Sequence, residues 1–233
     1  MSKIPKPEFK QKSIRTFVIR AGRITEGQRA AFEQWWPRYG LSLYDGLLSD
    51  AGYLSPGKKL VIEIGFGMGD SLFEMAKVEQ DSQFIGIEVH PPGVGRLVNR
   101  AGEAGLDNLR VYMADANDVL QDCFDEKSID RLQLFFPDPW HKKKHHKRRI
   151  VQKEFVIRVI RLLKPGGILH IATDWENYAQ AIVEVLREFE ELENLAGEAI
   201  YSARPAYRPQ TKFEKRGESL GHRVWDLLYR RLH

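Results

Sequence analysis

Short apolar runs of strand length alternate along this chain with stretches that carry one apolar face at helical spacing. Five runs have strand character: LVIEI at 60–64, QFIGIEV at 83–89, NLRVYMADA at 108–116, SIDRLQLFF at 128–136 and ILHIATD at 168–174. Between them the period changes to that of a helix. Leu72, Phe73, Met75 and Ala76 mark one helix, and HPPGVGRLVNRAGEAGL makes a turn and a second. A third is expected over 149–163, ended by a KPGG turn, and a fourth over 177–195 with Ile182, Val185, Leu186 and Phe189 on its apolar face. Near the start, Thr25 is placed to cap a helix running to Trp36, where Pro37 ends it, with Trp35 and Trp36 as packing residues. Beyond residue 198 the chain reads as two closing strands joined by a polar loop over 208–217. Strands alternating with helices predict an α/β fold, here a mostly parallel seven-stranded sheet with helices on both faces.

Composition narrows the setting. A length of 233 residues suits one large domain better than two. No apolar run approaches the roughly 18 residues of a membrane span, and the Lys-rich start lacks a signal-peptide core. A soluble, cytoplasmic protein is expected. The single Cys123 allows no internal disulfide and is read as packing or incidental. Net charge is +4, but it is unevenly spread. Residues 1–30 hold eight Lys/Arg against two acids, 141–149 six against none and 201–233 eight against three; these segments carry +17 and leave −13 for the remainder. Basic segments around an acidic body point to a polyanionic partner. Residues 1–30 are expected to form a basic, partly disordered arm, and 31–233 a single domain.

The chemistry gathers at strand ends. The first run leads into Gly65, Gly67 and Gly69 and then a helix, the first half of a nucleotide-binding unit. The spacing is G-x-G-x-G, and Asp70 stands where a dinucleotide fingerprint has its last glycine. Glu63 and Asp70 flanking the loop would repel a pyrophosphate and suit a cationic sulfonium cofactor. Glu88 ends the second run, where an acid accepts hydrogen bonds from ribose hydroxyls, and Asp115 ends the third, where it can accept from an adenine amino group. The fourth run delivers FFPDPWHKKKHHKRR at 135–149, with Asp138 held between two prolines, then Trp140, then six Lys/Arg and three His. Trp140 can either stack on a splayed base or plug the rim. His141 and His145 have the spacing of helical metal ligands, but the surrounding cations oppose a metal, and none is expected.

These residues resemble the bacterial tRNA (guanine-N7)-methyltransferases, which have the Rossmann-like fold of S-adenosylmethionine-dependent methyltransferases. The motifs that carry the resemblance are RTFVIRAGRITEGQ, EIGFGMG, GIEVH, ADA, FFPDPWHKKKHHKRR, LKPGG, TDWENYA and TKFEKRGESLGH, spread over almost the whole chain. The resemblance implies that Glu63, Glu88 and Asp115 hold S-adenosylmethionine and that Asp138 contacts cofactor and acts in catalysis. It implies substrate-binding roles for Lys142, Asp174, Thr211, Lys212, Phe213 and Glu214. It also implies an RNA-contacting segment of Lys144, His145, His146, Lys147, Arg148 and Arg149. The expected reaction is methyl transfer to N7 of a guanine in the tRNA variable loop, by a monomer or homodimer. Guanine N7 carries a free lone pair, so the protein has to align N7 with the methyl group and stabilise a cationic product. A carboxylate can accept both N–H donors of the guanine Watson-Crick edge, and Asp138, Asp174 and Glu214 are unranked candidates. Alternatives are a methyltransferase acting on another RNA or an amino group, a nicotinamide-dependent dehydrogenase, and a non-catalytic RNA-binding protein.

Overall fold

The computed structural model describes residues 4–10, 15–18, 24–210, 214 and 223–233. They hold eight strands and six α-helices. The chain falls into two compact units, residues 1–13 with 18–125 and residues 14–17 with 126–233.

The first unit runs α1 (Glu26–Tyr39), β1 (Gly40–Leu41), β2 (Lys59–Ile64), α2 (Asp70–Val78), β3 (Ser82–Ile87), α3 (Pro91–Glu103), β4 (Leu109–Tyr112) and α4 (Ala116–Asp122). Its strands lie in the order β1-β4-β3-β2, and every pair is parallel. β3 is buried along its whole length and β2 everywhere but Lys59. That burial explains why both read as continuous apolar runs rather than as alternating ones. Thr25 caps α1 as expected. Its hydroxyl accepts from the Gln28 amide at 3.2 Å, and the Gln28 side chain accepts from the Thr25 amide at 3.0 Å.

Pro37 does not end α1, which continues to Tyr39. In the last turn a proline removes only one ladder bond, and Tyr39 anchors the turn. Its fully buried hydroxyl donates to the Leu106 carbonyl at 2.7 Å, with that of Ala101 at 3.0 Å. Trp35 and Trp36 do pack. A Cβ on Gly102 of α3 would lie 2.2 Å from the Trp35 ring, and one on Gly40 would lie 2.3 Å from Trp36. At the N-terminal side, Glu8 forms a parallel bridge with Ala114, and its carboxylate accepts from the Leu43 amide and the Ser42 hydroxyl.

The second unit runs β5 (Ile129–Phe135), a 3-10 helix over Lys143–Arg148, α5 (Lys153–Leu162), β6 (Leu163–Thr173), α6 (Glu176–Leu186), β7 (Leu192–Asn194) and β8 (Trp225–Arg231). The strand order is β5-β6-β8-β7, parallel between β5 and β6 and antiparallel thereafter. The α/β class therefore holds, with eight strands where seven were expected. Two are added, β1 and β7, of two and three residues, too short to leave an apolar run, and one of the expected closing strands is lost.

Other boundaries differ as well. α5 starts at Lys153 rather than 149, because the six residues of the Lys-rich segment form a 3-10 helix without a buried residue. KPGG lies inside β6, where the pairing jumps from Ile129↔Leu163 to Arg131↔Ile168 and residues 164–167 fold out of register. α6 ends at Leu186, because Leu192 pairs with Arg231 in β7. Of the two closing strands expected in the tail, β8 is present; the other reduces to a bridge between Ser202 and Asp226. Proline breaks that segment, where the Arg208 amide turns back onto the Pro205 carbonyl. The short helix α4 was not expected, although Asp115 caps it.

Candidate active site

In the first unit, Gly65, Gly67 and Gly69 follow β2 with φ of 70°, 57° and 76°. Side chains other than glycine reach that region only at a cost. The three differ in what they face. A Cβ on Gly65 or Gly67 would meet no heavy atom within 4 Å, whereas one on Gly69 would press on Leu97 of α3 at 2.9 Å. The first two glycines leave room for a ligand, and the third lets α3 approach. Gly93 of α3 lies on the loop so closely that a Cβ there would sit 1.9 Å from the Gly67 carbonyl oxygen.

Asp70 faces Arg96 and Arg100, at 2.8 and 2.6 Å, so its charge is answered within the unit. The acid flanking the loop is then Glu63, which is 2% exposed at the end of β2. Glu88, just past β3, is 9% exposed. Its carboxylate accepts from the Gly67 amide at 2.8 Å, the Val89 amide at 2.6 Å and the His90 amide at 3.0 Å. Burial pushes its pKa above the ordinary carboxylate value, and the three backbone N–H groups oppose that shift. Of the roughly four lone-pair positions of a carboxylate, those bonds leave about one for a further donor. Asp115, 5% exposed beyond β4, accepts from the Asn117 amide at 2.9 Å, and its own amide donates to the Glu8 carbonyl at 3.2 Å. The structure thus sets Glu63 one residue before the end of β2, and Glu88 and Asp115 just past the carboxyl ends of β3 and β4, the edge where open α/β sheets bind ligands.

In the second unit, Asp138 and Asp174 leave two adjacent parallel strands at the same edge. Phe135 pairs with Ala172, and the Phe136 amide donates to the Ala172 carbonyl at 2.8 Å. Both aspartates are exposed. Asp138 sits between two non-glycine residues with left-handed backbone, Phe136 at φ 52° and Trp140 at φ 47°. Each such residue costs about 1–3 kcal/mol and persists only where its surroundings hold it. Here Arg149 Nε donates to the Pro139 carbonyl at 2.8 Å, and Trp140 Nε1 donates to the Thr16 carbonyl at 3.1 Å. Arg148 lies 3.9 Å over the Trp140 ring and donates to the carbonyls of Arg15 and Phe17 at 3.0 and 3.1 Å. Of the two sequence alternatives for Trp140, this is the packed one. The aromatic left open is Trp175, 41% exposed, with the His141 ring edge-on at 4.2 Å.

The cationic ribbon does not present all its charges. Lys142, Lys143, Lys144 and Lys147 are exposed, His145, His146 and Arg148 are half-buried, and Arg149 is 4% exposed. Arg149 was expected to contact RNA, but its guanidinium points inward. It donates to Asn177 Oδ1 at 2.8 Å and to His146 Nε2 at 3.2 Å, and it lies over the Tyr178 ring. Desolvation, then Lys144, Arg148, Lys142 and Lys147, push the His145 pKa below its ordinary value, so lysines carry the ribbon's exposed charge. His141 and His145 rest on different tryptophans, Trp175 and Trp140. Among the described residues no group of three or more His, Cys, Asp or Glu could hold a metal ion. Cys123 is buried, and burial pushes its thiol up to about 11, in keeping with packing.

Glu214 separates from the other two guanine-edge candidates. It is buried, and both its oxygens accept from Arg208, at 2.6 and 2.8 Å. Arg208 is itself fully buried and donates twice more to Asp226, which also takes His170 Nε2 at 2.8 Å. Tyr207 lies 2.8 Å from His170 Nδ1. Thr211, Lys212 and Phe213 lie outside the described residues. Sequence reasoning missed this network and the inward turn of Arg149. Arg208 meets partners 6 and 18 residues away with no spacing rule to mark them, and Arg149 was hidden inside a charge run.

A family model described as "Putative methyltransferase" matches residues 57–227. The tRNA (guanine-N(7)-)-methyltransferase of Saccharophagus degradans is 63% identical over 97% of this chain and 98% of its own length. The protein of the same name from Alcanivorax borkumensis is 54% identical over 94% and 91%. Among solved structures, the aminoglycoside resistance methyltransferase NpmB1 superposes with a TM-score of 0.53 at 20% identity, over 80% of this chain and 94% of that one. A SAM dependent methyltransferase from Aquifex aeolicus gives 0.52 at 14% identity, over 79% and 88%. At such identities these two bear on the fold alone.

Proposed function

The chain belongs to the tRNA (guanine-N(7)-)-methyltransferases, and from that premise we propose how its residues divide the work of methylating N7 of a guanine in the variable loop of tRNA. The chain is an S-adenosylmethionine-dependent enzyme acting on guanine N7 of tRNA. Bound S-adenosylmethionine supplies an electrophilic methyl group on a sulfonium. The glycine loop fits it, since Gly65 and Gly67 face open space where a side chain would intrude. Glu63, Glu88 and Asp115 would hold it, Glu88 by the lone-pair position that its three backbone donors leave for a ribose hydroxyl. Gly69 serves the same cradle indirectly, by letting α3 close under it.

The observation that carries the reading is the pair of exposed aspartates, Asp138 and Asp174, at one edge of two adjacent parallel strands beside a row of exposed lysines. Two carboxylates there can take the Watson-Crick N–H donors of a guanine and face the positive charge that develops as N7 is alkylated. Adenine would leave those acceptors unpaired, so the site discriminates against it. Asp138 is the catalytic carboxylate and Asp174 binds substrate. Lys142, Lys144 and Lys147 clamp phosphates, with His145, His146 and Arg148 alongside. Thr211, Lys212 and Phe213 are assigned to substrate binding as well; Glu214, the residue after them, is bound by Arg208. The enzyme works in the cytoplasm, where its tRNA is, as a monomer or homodimer.

The test is to incubate tRNA with methyl-labelled cofactor, digest it and identify the labelled nucleoside and its position. 7-Methylguanosine from the variable loop is expected; label on another base or position would overturn the reading. Asp138→Ala should lower turnover by about 100-fold or more while the thermal transition stays within a few degrees.

A further inference from the structure

The two arginines that end the cationic ribbon are oriented differently from its lysines. The loop from Phe136 to Trp140 carries Asp138 at its middle and is left-handed at both ends. Nothing in its sequence favours that backbone, so contacts made by the rest of the unit have to hold it. Arg149 makes the innermost of them. From a buried position it grips the Pro139 carbonyl, the residue after Asp138, with Nε at 2.8 Å, and the Asn177 side chain of α6 with Nη2 at 2.8 Å. Tyr178, the next residue of α6, lies under the guanidinium and is itself buried. The planar fork thus ties the aspartate's neighbour to a helix that packs in the core, a connection a single ammonium could not make at both ends. On the outer side Trp140 is held by the Thr16 carbonyl and by Arg148, which itself donates to the carbonyls of Arg15 and Phe17.

We propose that Arg149 is a positioning residue for Asp138: it makes no RNA contact, and it fixes the loop so that the carboxylate keeps one place beside the guanine. This rests on the catalytic role given above to Asp138. Geometry of this kind matters because a displacement of about 1 Å at a reacting group lowers the rate by about 100-fold.

The experiment uses the full-length enzyme and four variants: Arg149→Lys, Arg149→Met, Asp138→Ala and the double variant Asp138→Ala/Arg149→Lys. Lysine keeps the charge and most of the length but cannot reach both partners. Turnover of Arg149→Lys should fall by about 100-fold, with the Kd for S-adenosylmethionine, the Kd for tRNA and the salt dependence of tRNA binding unchanged. Amide hydrogen exchange at Phe136, Asp138 and Trp140 should quicken. In the Asp138→Ala background Arg149→Lys should cost little more, since the residue it positions is gone.

Three outcomes would overturn the inference: normal turnover of Arg149→Lys beside an inactive Asp138→Ala, an undiminished further loss in the double variant, or, in Arg149→Met, which removes the charge, a flatter salt dependence of tRNA binding, the mark of one phosphate fewer neutralised. Near-normal turnover of Asp138→Ala would instead refute the underlying catalytic assignment and take the inference with it. Should Arg149→Met fail to fold, Arg149→Lys carries the comparison alone.

Discussion

Arg208 and His170 occupy the middle of the second unit and neither touches solvent. Arg208 answers two buried carboxylates at once, Glu214 and Asp226, and such a cluster is stable only while every member has its partner. His170 closes the chain, with Asp226 on Nε2 and Tyr207 on Nδ1. Burial lowers its pKa most, the Asp226 bond and charge pull the other way, and the net direction is down. A histidine whose folded pKa is below its unfolded value binds a proton more readily when unfolded. Its contribution is therefore present above the unfolded pKa of about 6.5 and is lost as pH falls through that value towards the folded one. Unfolding free energy by urea titration should decline from pH 7.5 to 5.5 by up to about 1.4 kcal/mol per pH unit on account of this one group. His170→Gln should flatten that part of the profile; an equally steep decline in the variant would assign it to other groups. Asp226 is shifted down against the pull of burial, so its own contribution is lost only below about pH 3.8, outside this window.

Helix α3 shows how an element can serve a site without supplying a ligand. Three of its glycines are approach points: Gly93 to the Gly67 carbonyl, Gly95 to Phe32 and Gly102 to Trp35. Each costs about 1 kcal/mol of helix propensity relative to alanine, and each lets a neighbouring segment come closer than a methyl group would allow. On the proposed cofactor site Gly93 is the one to test, because the residue it touches donates its amide to Glu88. Gly93→Ala should push the Gly67 peptide away. Overpacking of this kind costs about 1–3 kcal/mol of stability, and cofactor affinity measured by calorimetry should fall by about tenfold or more, since each 1.4 kcal/mol lost in binding is tenfold. Wild-type affinity in a folded Gly93→Ala would show that the loop does not depend on this approach.

At the scale of the whole molecule, the proposed tRNA contact of the ribbon rests on its exposed lysines. Replacing Lys143, Lys144 and Lys147 with glutamine should weaken tRNA binding and flatten its salt dependence by roughly 0.7–0.9 log units per decade of salt for each phosphate no longer neutralised. Cofactor affinity should not change, and different tRNAs should suffer alike, because phosphate contacts carry little sequence information. An unchanged slope would remove the ribbon from the RNA interface. The sequence by itself determined the α/β class, the glycine loop, the strand-end acids and the strand that delivers Asp138. Each of these follows from local chemistry: apolar period, missing side chains, or the φ restriction of proline. It also determined that a cationic segment follows Asp138, but not which of its charges face out. Only tertiary structure decided that Arg149 turns inward to Pro139 and Asn177, that Arg208 occupies both oxygens of Glu214, that Pro37 leaves α1 intact, and that KPGG, beyond the end of α5, folds out of a strand. The reason is common to all four. A charge run, a buried ion pair, a tolerated proline and a bulge are each settled by what the rest of the chain packs against them, and that partner is too far along the sequence to leave a periodic mark.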